Sequence, residues 1–217
     1  MHSDDLNPAI LEPPPPDPRS ITPPPDGWQT TREALHELAE TVIAPARKAV
    51  DGRIRLRWLP GGFGTPRFGE DRQIRVDGSE LVTVADGTCR REALDVDAGA
   101  ARWLGDFYGF VLAVLEDLRA HIAADEPVIW PEHFDYAITA GDEATGSRAN
   151  YGGSPGDEHH PEPYLYVGPW NPREGELWNA TGFGGAELGL GARLAAEDPR
   201  ELALEFFLER MRALQAG

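Results

Sequence analysis

The sequence predicts an α+β protein, mostly antiparallel sheet packed with three main helices. Three observations lead there. Apolar residues recur at helical spacing in three separate stretches, and period-two segments fill the intervals between them. Those segments follow one another through short turns rather than through crossover helices, which favours antiparallel pairing.

Residues 1–27 read as a proline-rich extended arm. Nine of the 20 prolines fall between Pro8 and Pro25, and such runs lack backbone donors and favour polyproline II. Pro13 to Pro16 also fits a PxxP ligand pattern, although an arm lying on the domain or extending from it is the simpler expectation. Residues 28–217 read as a single α+β domain. Its first helix carries Leu35, Leu38, Val42, Ile43 and Ala46 on one face, and Thr30 with Glu33 forms a capping-box pattern. Pro45 lies inside that pattern and should kink or split the helix.

Residues 53–59 then alternate, with Ile54, Leu56 and Trp58 inward and Arg53, Arg55 and Arg57 outward. Residues 61–66 read as a glycine-rich loop. Strands at 73–76 and 81–84 flank an Asp77-Gly78 turn, and a further strand is expected after Asp86-Gly87. Asp97 is a suitable N-cap for the longest helix, which should run to about His121 and form the central core element. Strands are expected at 134–140, 147–151, 163–167 and 176–180. Asp198-Pro199-Arg200-Glu201 then starts the closing helix, 198–215. Two similar loops, Gly64-Thr65-Pro66 and Gly153-Ser154-Pro155, suggest two αβββ-like halves, a pseudo-repeat over 28–96 and 97–197.

The formal net charge is −17, and most of the excess lies beyond residue 100. Such a surface repels a phosphate backbone, so nucleic-acid binding is not expected. Cys89 is the only cysteine, which excludes an intrachain disulfide and gives no sign of an oxidising compartment. MHSDDLNPAI has neither a basic segment nor an apolar one of signal-peptide type, and no apolar run is long enough to span a membrane. The expectation is a cytoplasmic protein.

Residues 130–171 hold the densest set of groups suited to chemistry. If residues 160–170 are extended, His160, Glu162, Tyr164, Tyr166 and Trp170 share one face, and Pro161, Pro163, Leu165 and Val167 face the core. By the same rule His133, Asp135, Ala137 and Thr139 oppose the apolar set Phe134, Tyr136 and Ile138, while Arg148 and Asn150 share a face. Imidazole and carboxylate suit a divalent transition metal such as zinc, and they also suit acid–base work. No metal-binding or phosphate-binding signature of standard form accompanies them: the Gly61–Gly64 and 182–185 segments lack the P-loop lysine and read as turns. The Arg53, Arg55 and Arg57 row offers an anion-binding surface or the wet face of a sheet.

The Pro131-to-Asp135 strand start after the long helix, and the Pro161-to-Tyr164 segment before the last helix, resemble an uncharacterised bacterial family of unknown function. The resemblance covers the second half of the chain and implies no activity, cofactor or ligand. Two functional expectations therefore stand on the residues themselves. The first is a small-ligand or protein-partner-binding protein using Arg148, Asn150, Tyr164, Tyr166 and Trp170. The second is a metal-assisted hydrolase or lyase using His133, Asp135, His160 and Glu162. The first is preferred because the second needs three strands in one register.

Overall fold

A computed structural model of the chain describes residues 21–157, 160–189 and 197–216. It is an α+β fold. α1 (Trp28–Leu38), a π-helical turn (Ala39–Ile43) and α2 (Ala44–Asp51) form one interrupted helix. The first antiparallel sheet follows, with β1 (Arg57–Leu59), β2 (Gly62–Gly64), β3 (Gln73–Asp77), β4 (Glu80–Ala85) and β5 (Thr88–Ala93) paired in sequence order. After α3 (Ala98–Arg119) a second antiparallel sheet holds β6 (Val128–Trp130), β7 (Asp135–Ala140), β8 (Ala149–Ser154), β9 (Tyr164–Pro169) and β10 (Ala186–Gly189), again in order. α4 (Pro199–Gln215) closes the described chain.

α3 is the hub. Fifteen of its 22 residues are buried, so it is enclosed all round rather than amphipathic. It packs against α1, α4, β1, β2, β7 and β8. The Asp97 side chain accepts from Ala100 N–H at 2.8 Å, the expected cap. Asp198 caps α4 in the same way through Glu201 N–H at 3.0 Å. Where the two sheets meet, Leu56 and Ile129 exchange both backbone hydrogen bonds, at 2.9 and 2.8 Å. Each half is thus a helical segment followed by a five-stranded meander. The two Gly-[Ser/Thr]-Pro loops nevertheless close the second strand of one meander and the third strand of the other.

Several local expectations are corrected. α1 begins at Trp28 behind Gly27, whose φ of 73° ends the preceding turn, so the Thr30–Glu33 capping box is not used. The Thr31 hydroxyl instead accepts Asp97 N–H at 3.0 Å and ties the start of α1 to that of α3. The split expected at Pro45 is made by the π turn before it: Pro45 lies in the first turn of α2, where its missing N–H costs nothing.

The supposed loop 61–66 contains a buried strand, β2. A Cβ on Gly64 would lie 2.4 Å from the Ile74 carbonyl oxygen, and one on Gly105 of α3 would lie 3.0 Å from Gly62 N. These glycines are there for close approach of backbones. Residues 176–180 are not a strand; Asn179 instead exchanges two 3.1 Å side-chain bonds with the Glu187 backbone on the edge of β10. β6 is too short for its pattern to be read from sequence. Of the proline-rich arm, Ile21 is buried and the Thr22 carbonyl accepts from Trp103 Nε1 at 2.8 Å, so its last residues lie on α3. The Pro13–Pro16 pattern lies outside the described residues. No helix among the described residues is long and apolar enough to cross a membrane.

Gly64→Ala should therefore destabilise the fold by about 1–3 kcal/mol, because the contact is with backbone that cannot turn aside. Gly168→Ala, whose Cβ meets nothing within 4 Å, should be near neutral. Urea denaturation of both variants checks the pair.

Candidate functional site

The polar face of the second sheet is the face turned away from α3. On β9, Leu165 and Val167 are buried, while Tyr164, Tyr166 and Gly168 face the other way, as the alternation requires. Asp135, Ala137 and Thr139 of β7 and Asn150 and Ser154 of β8 line the same side. This face and the edge of α1 enclose a cleft of about 1360 Å³. Its walls are Arg32, Glu33 and His36 from α1, Trp130, the Gly156–Asp157 loop, Trp170 and Phe183.

Strand register explains the floor. Ala137, Gly152 and Tyr166 are cross-strand neighbours, and so are Thr139, Asn150 and Gly168. A Cβ on Gly152 would sit 2.9 Å from the Tyr166 ring. Glycine at this position lets the ring cross over β8, and the Tyr166 hydroxyl donates a short hydrogen bond to Asp135 Oδ2 on β7. Gly168 leaves open space beside it. The result is a floor on which Ala137 and Gly168 flank the Tyr166 ring, with Tyr164, Trp170 and Phe183 at the rim.

Asp135 is 8% exposed, and its Oδ1 is buried with no hydrogen-bond partner among the described residues. Burial raises its carboxyl above the ordinary carboxylate range; the Tyr166 hydrogen bond and the charge of His133 offset that only in part. Burial, and then the Asp135 charge, push the Tyr166 hydroxyl well above its ordinary value. The pair is a buried donor–acceptor unit with one acceptor left over.

The backbone before Asp135 is strained. Phe134 has a φ of 53°, the left-handed region that a bulky residue avoids. Three contacts hold it there. Phe134 N–H donates to the Trp130 carbonyl at 2.7 Å, the Tyr108 hydroxyl donates to the Phe134 carbonyl at 2.7 Å, and the ring stacks on His36 at 4.9 Å. His36 Nε2 donates to the Pro131 carbonyl at 2.9 Å, which fixes that nitrogen as the protonated one.

The other expected ligand-binding residues divide. Tyr164, Tyr166, Asn150 and Trp170 all line the cleft. Asn150 Oδ1 accepts from Thr139 Oγ1 at 3.0 Å and from Trp170 Nε1 at 3.3 Å, which leaves the amide nitrogen as the donor to offer. Arg148 supports Trp170 from beside the cleft, its guanidinium 4.3 Å from the ring centroid.

The metal quartet is not assembled. His133 and Asp135 line the cleft, but β9 begins only at Tyr164, so residues 160–162 do not continue its alternation. His160 Nδ1 donates to the Glu162 carbonyl at 2.9 Å and its ring packs 4.2 Å from Tyr164; Glu162 is exposed. Among the described residues, no group of three or more His, Cys, Asp or Glu side chains is placed to hold a metal ion. His159 lies outside the described residues.

Sequence reasoning missed Arg32 and His36. They stand one helical turn apart in α1, within the stripe that also holds Trp28 and Leu35. Arg32 is only 5% exposed, bonded to Glu33 at 3.0 Å and set over the Trp28 ring. Polar residues inside an apolar helical stripe were the available signal. No family model, curated protein or solved structure matches the chain, so the functional reading rests on this geometry.

The raised carboxyl of Asp135 sets a pH dependence. The folded chain holds this proton to higher pH than the unfolded chain does. Its stabilising contribution is complete below the unfolded value and is lost as pH rises through the folded one. Stability of the parent relative to Asp135→Asn should therefore fall as pH rises from about 3.8, the unperturbed value. Denaturation curves of the two proteins across the acid range measure this; parallel profiles would remove the claim.

Proposed function

We propose that the protein binds a small, ring-bearing molecule in the cleft between α1 and the second sheet. One observation carries the reading: Asp135 Oδ1 is a buried acceptor without a partner among the described residues, on a residue that lines a cavity. Leaving such an acceptor unpaired costs roughly 1–3 kcal/mol, and a donor on a ligand would recover it. The floor of Ala137, the Tyr166 ring and Gly168 accepts a planar group, and Trp170, Tyr164 and Phe183 at its rim supply stacking surface. A concave site that combines aromatic surface with fixed polar groups is a usual form of small-molecule site. The favoured ligand presents a hydroxyl or amine to Asp135 and a flat ring to the floor.

Gly168 gives a selective test. Its strand conformation is ordinary and a Cβ there meets nothing within 4 Å, so Gly168→Leu should fill the floor at little cost to the fold, which its own Tm checks. A thermal-shift panel of nucleosides, aromatic amines and monosaccharides should contain compounds that raise the Tm of the parent. Those compounds should have no effect on Gly168→Leu and a reduced effect on Asp135→Asn. A hit that stabilises Gly168→Leu equally would place its binding elsewhere. A panel without hits would sink the proposed ligand class.

A further inference from the structure

A second cavity, of about 810 Å³, opens where the two sheets meet. It lies between the chain leading into β1, the C-terminal part of α3 and the chain leading into β6. Five arginines line it: Arg47, Arg53, Arg55, Arg57 and Arg119. The chain has 20 basic residues against 37 acidic ones, so a random site would be expected to carry excess negative charge. Here Glu116 and Glu126 are the acids on the wall. At physiological salt the screening length is about 8 Å, so the lining sets the local field rather than the net charge of the molecule.

The arginines differ in what they already hold. Arg47 Nε is bonded to Asp51 Oδ2 at 3.2 Å and its Nη1 makes a short bond to the Arg55 carbonyl, which pins α2 to the chain entering β1. Arg119 is bonded to both oxygens of Glu116, at 3.0 and 2.9 Å. Arg53 and Arg55 form no ion pair with a described carboxylate. The remaining Asp51 oxygen takes the Arg53 backbone N–H, at 2.9 Å. The Arg55 guanidinium lies 5.1 Å from the centroid of the Trp130 ring, a stacking that orders the fork and leaves its edge donors available. Buried Leu56 and Leu112 give the cavity an apolar base.

We propose that this cavity binds a small anion bearing two or more phosphate or carboxylate groups, held by Arg53 and Arg55. Planar guanidinium forks match both kinds of oxyanion, and an open cavity of this volume, with Arg53 and Arg55 exposed at its mouth, admits a small molecule. A nucleic-acid backbone is disfavoured by the net charge of −17. The site is separate from the Asp135 cleft, and the proposal does not depend on that cleft having a ligand.

Calorimetric titration of the full chain with pyrophosphate and with citrate, at low ionic strength, tests it. Saturable one-to-one binding of at least one is expected, and the preferred probe identifies phosphate or carboxylate as the recognised group. The double substitution Arg53→Ala, Arg55→Ala should weaken that binding by about tenfold or more. Arg53→Lys, Arg55→Lys keeps the charge and should bind more tightly than the alanine pair, which separates lost recognition from lost folding. Asp135→Asn should bind as the parent does. The proposal is overturned if neither probe binds saturably, if the alanine pair retains full affinity or matches the lysine pair, or if Asp135→Asn abolishes binding.

Discussion

The left-handed turn at Phe134 is the constraint on which the cleft depends. It sends the Phe134 ring into the core, against His36, Phe63 and Tyr108, and in the next residue turns a carboxylate to the opposite face. That backbone state costs on the order of 1–3 kcal/mol. The Tyr108 hydroxyl from the centre of α3, the Trp130 carbonyl and the His36 ring hold it from three sides. Helix, core and site are therefore set by one residue's environment. The strain sits beside the buried acceptor, which is where strain and function tend to coincide.

Charge in this molecule is sorted rather than spread. A formal charge of −17 makes the exterior acidic, yet five arginines gather around one cavity and a lone carboxyl is buried under the other. Each departs from the surrounding charge in its own way. Burial raises the Asp135 carboxyl above the ordinary range, and the Tyr166 hydroxyl holds it. Of the arginines, two are spent on carboxylates and one is stacked on Trp130. Trp130 borders both cavities, so the anion site and the cleft share a wall without sharing a charge.

What could be read from the sequence was what carries period or punctuation. The alternation at 134–140 and 164–167 placed the correct side chains on the correct faces, because a strand leaves no other choice. Asp97 and Asp198 marked their helices because a side-chain oxygen three residues before a free N–H is a local, self-contained interaction. The failures came where the deciding contact is distant. Gly62 and Gly64 form a strand because α3 and β3 approach their backbones, and glycine itself carries no pattern. His160 and Glu162 had the right parity, but pairing in β9 begins after both. Arg32 and His36 lie in an apolar helical stripe, and only the sheet set opposite them shows what they face.

The pairing of Leu56 with Ile129 has a consequence for how the chain reaches this state. Both meanders join consecutive strands through turns, so their contacts are local and close cheaply in entropy. Leu56 and Ile129 lie more than seventy residues apart, and α3 fills the interval between the two sheets. The slow event is then the meeting of two preformed sheets around that helix, rather than the making of either sheet. Amides of Leu56 and Ile129 would gain protection from exchange together, and only after the strands on either side of them.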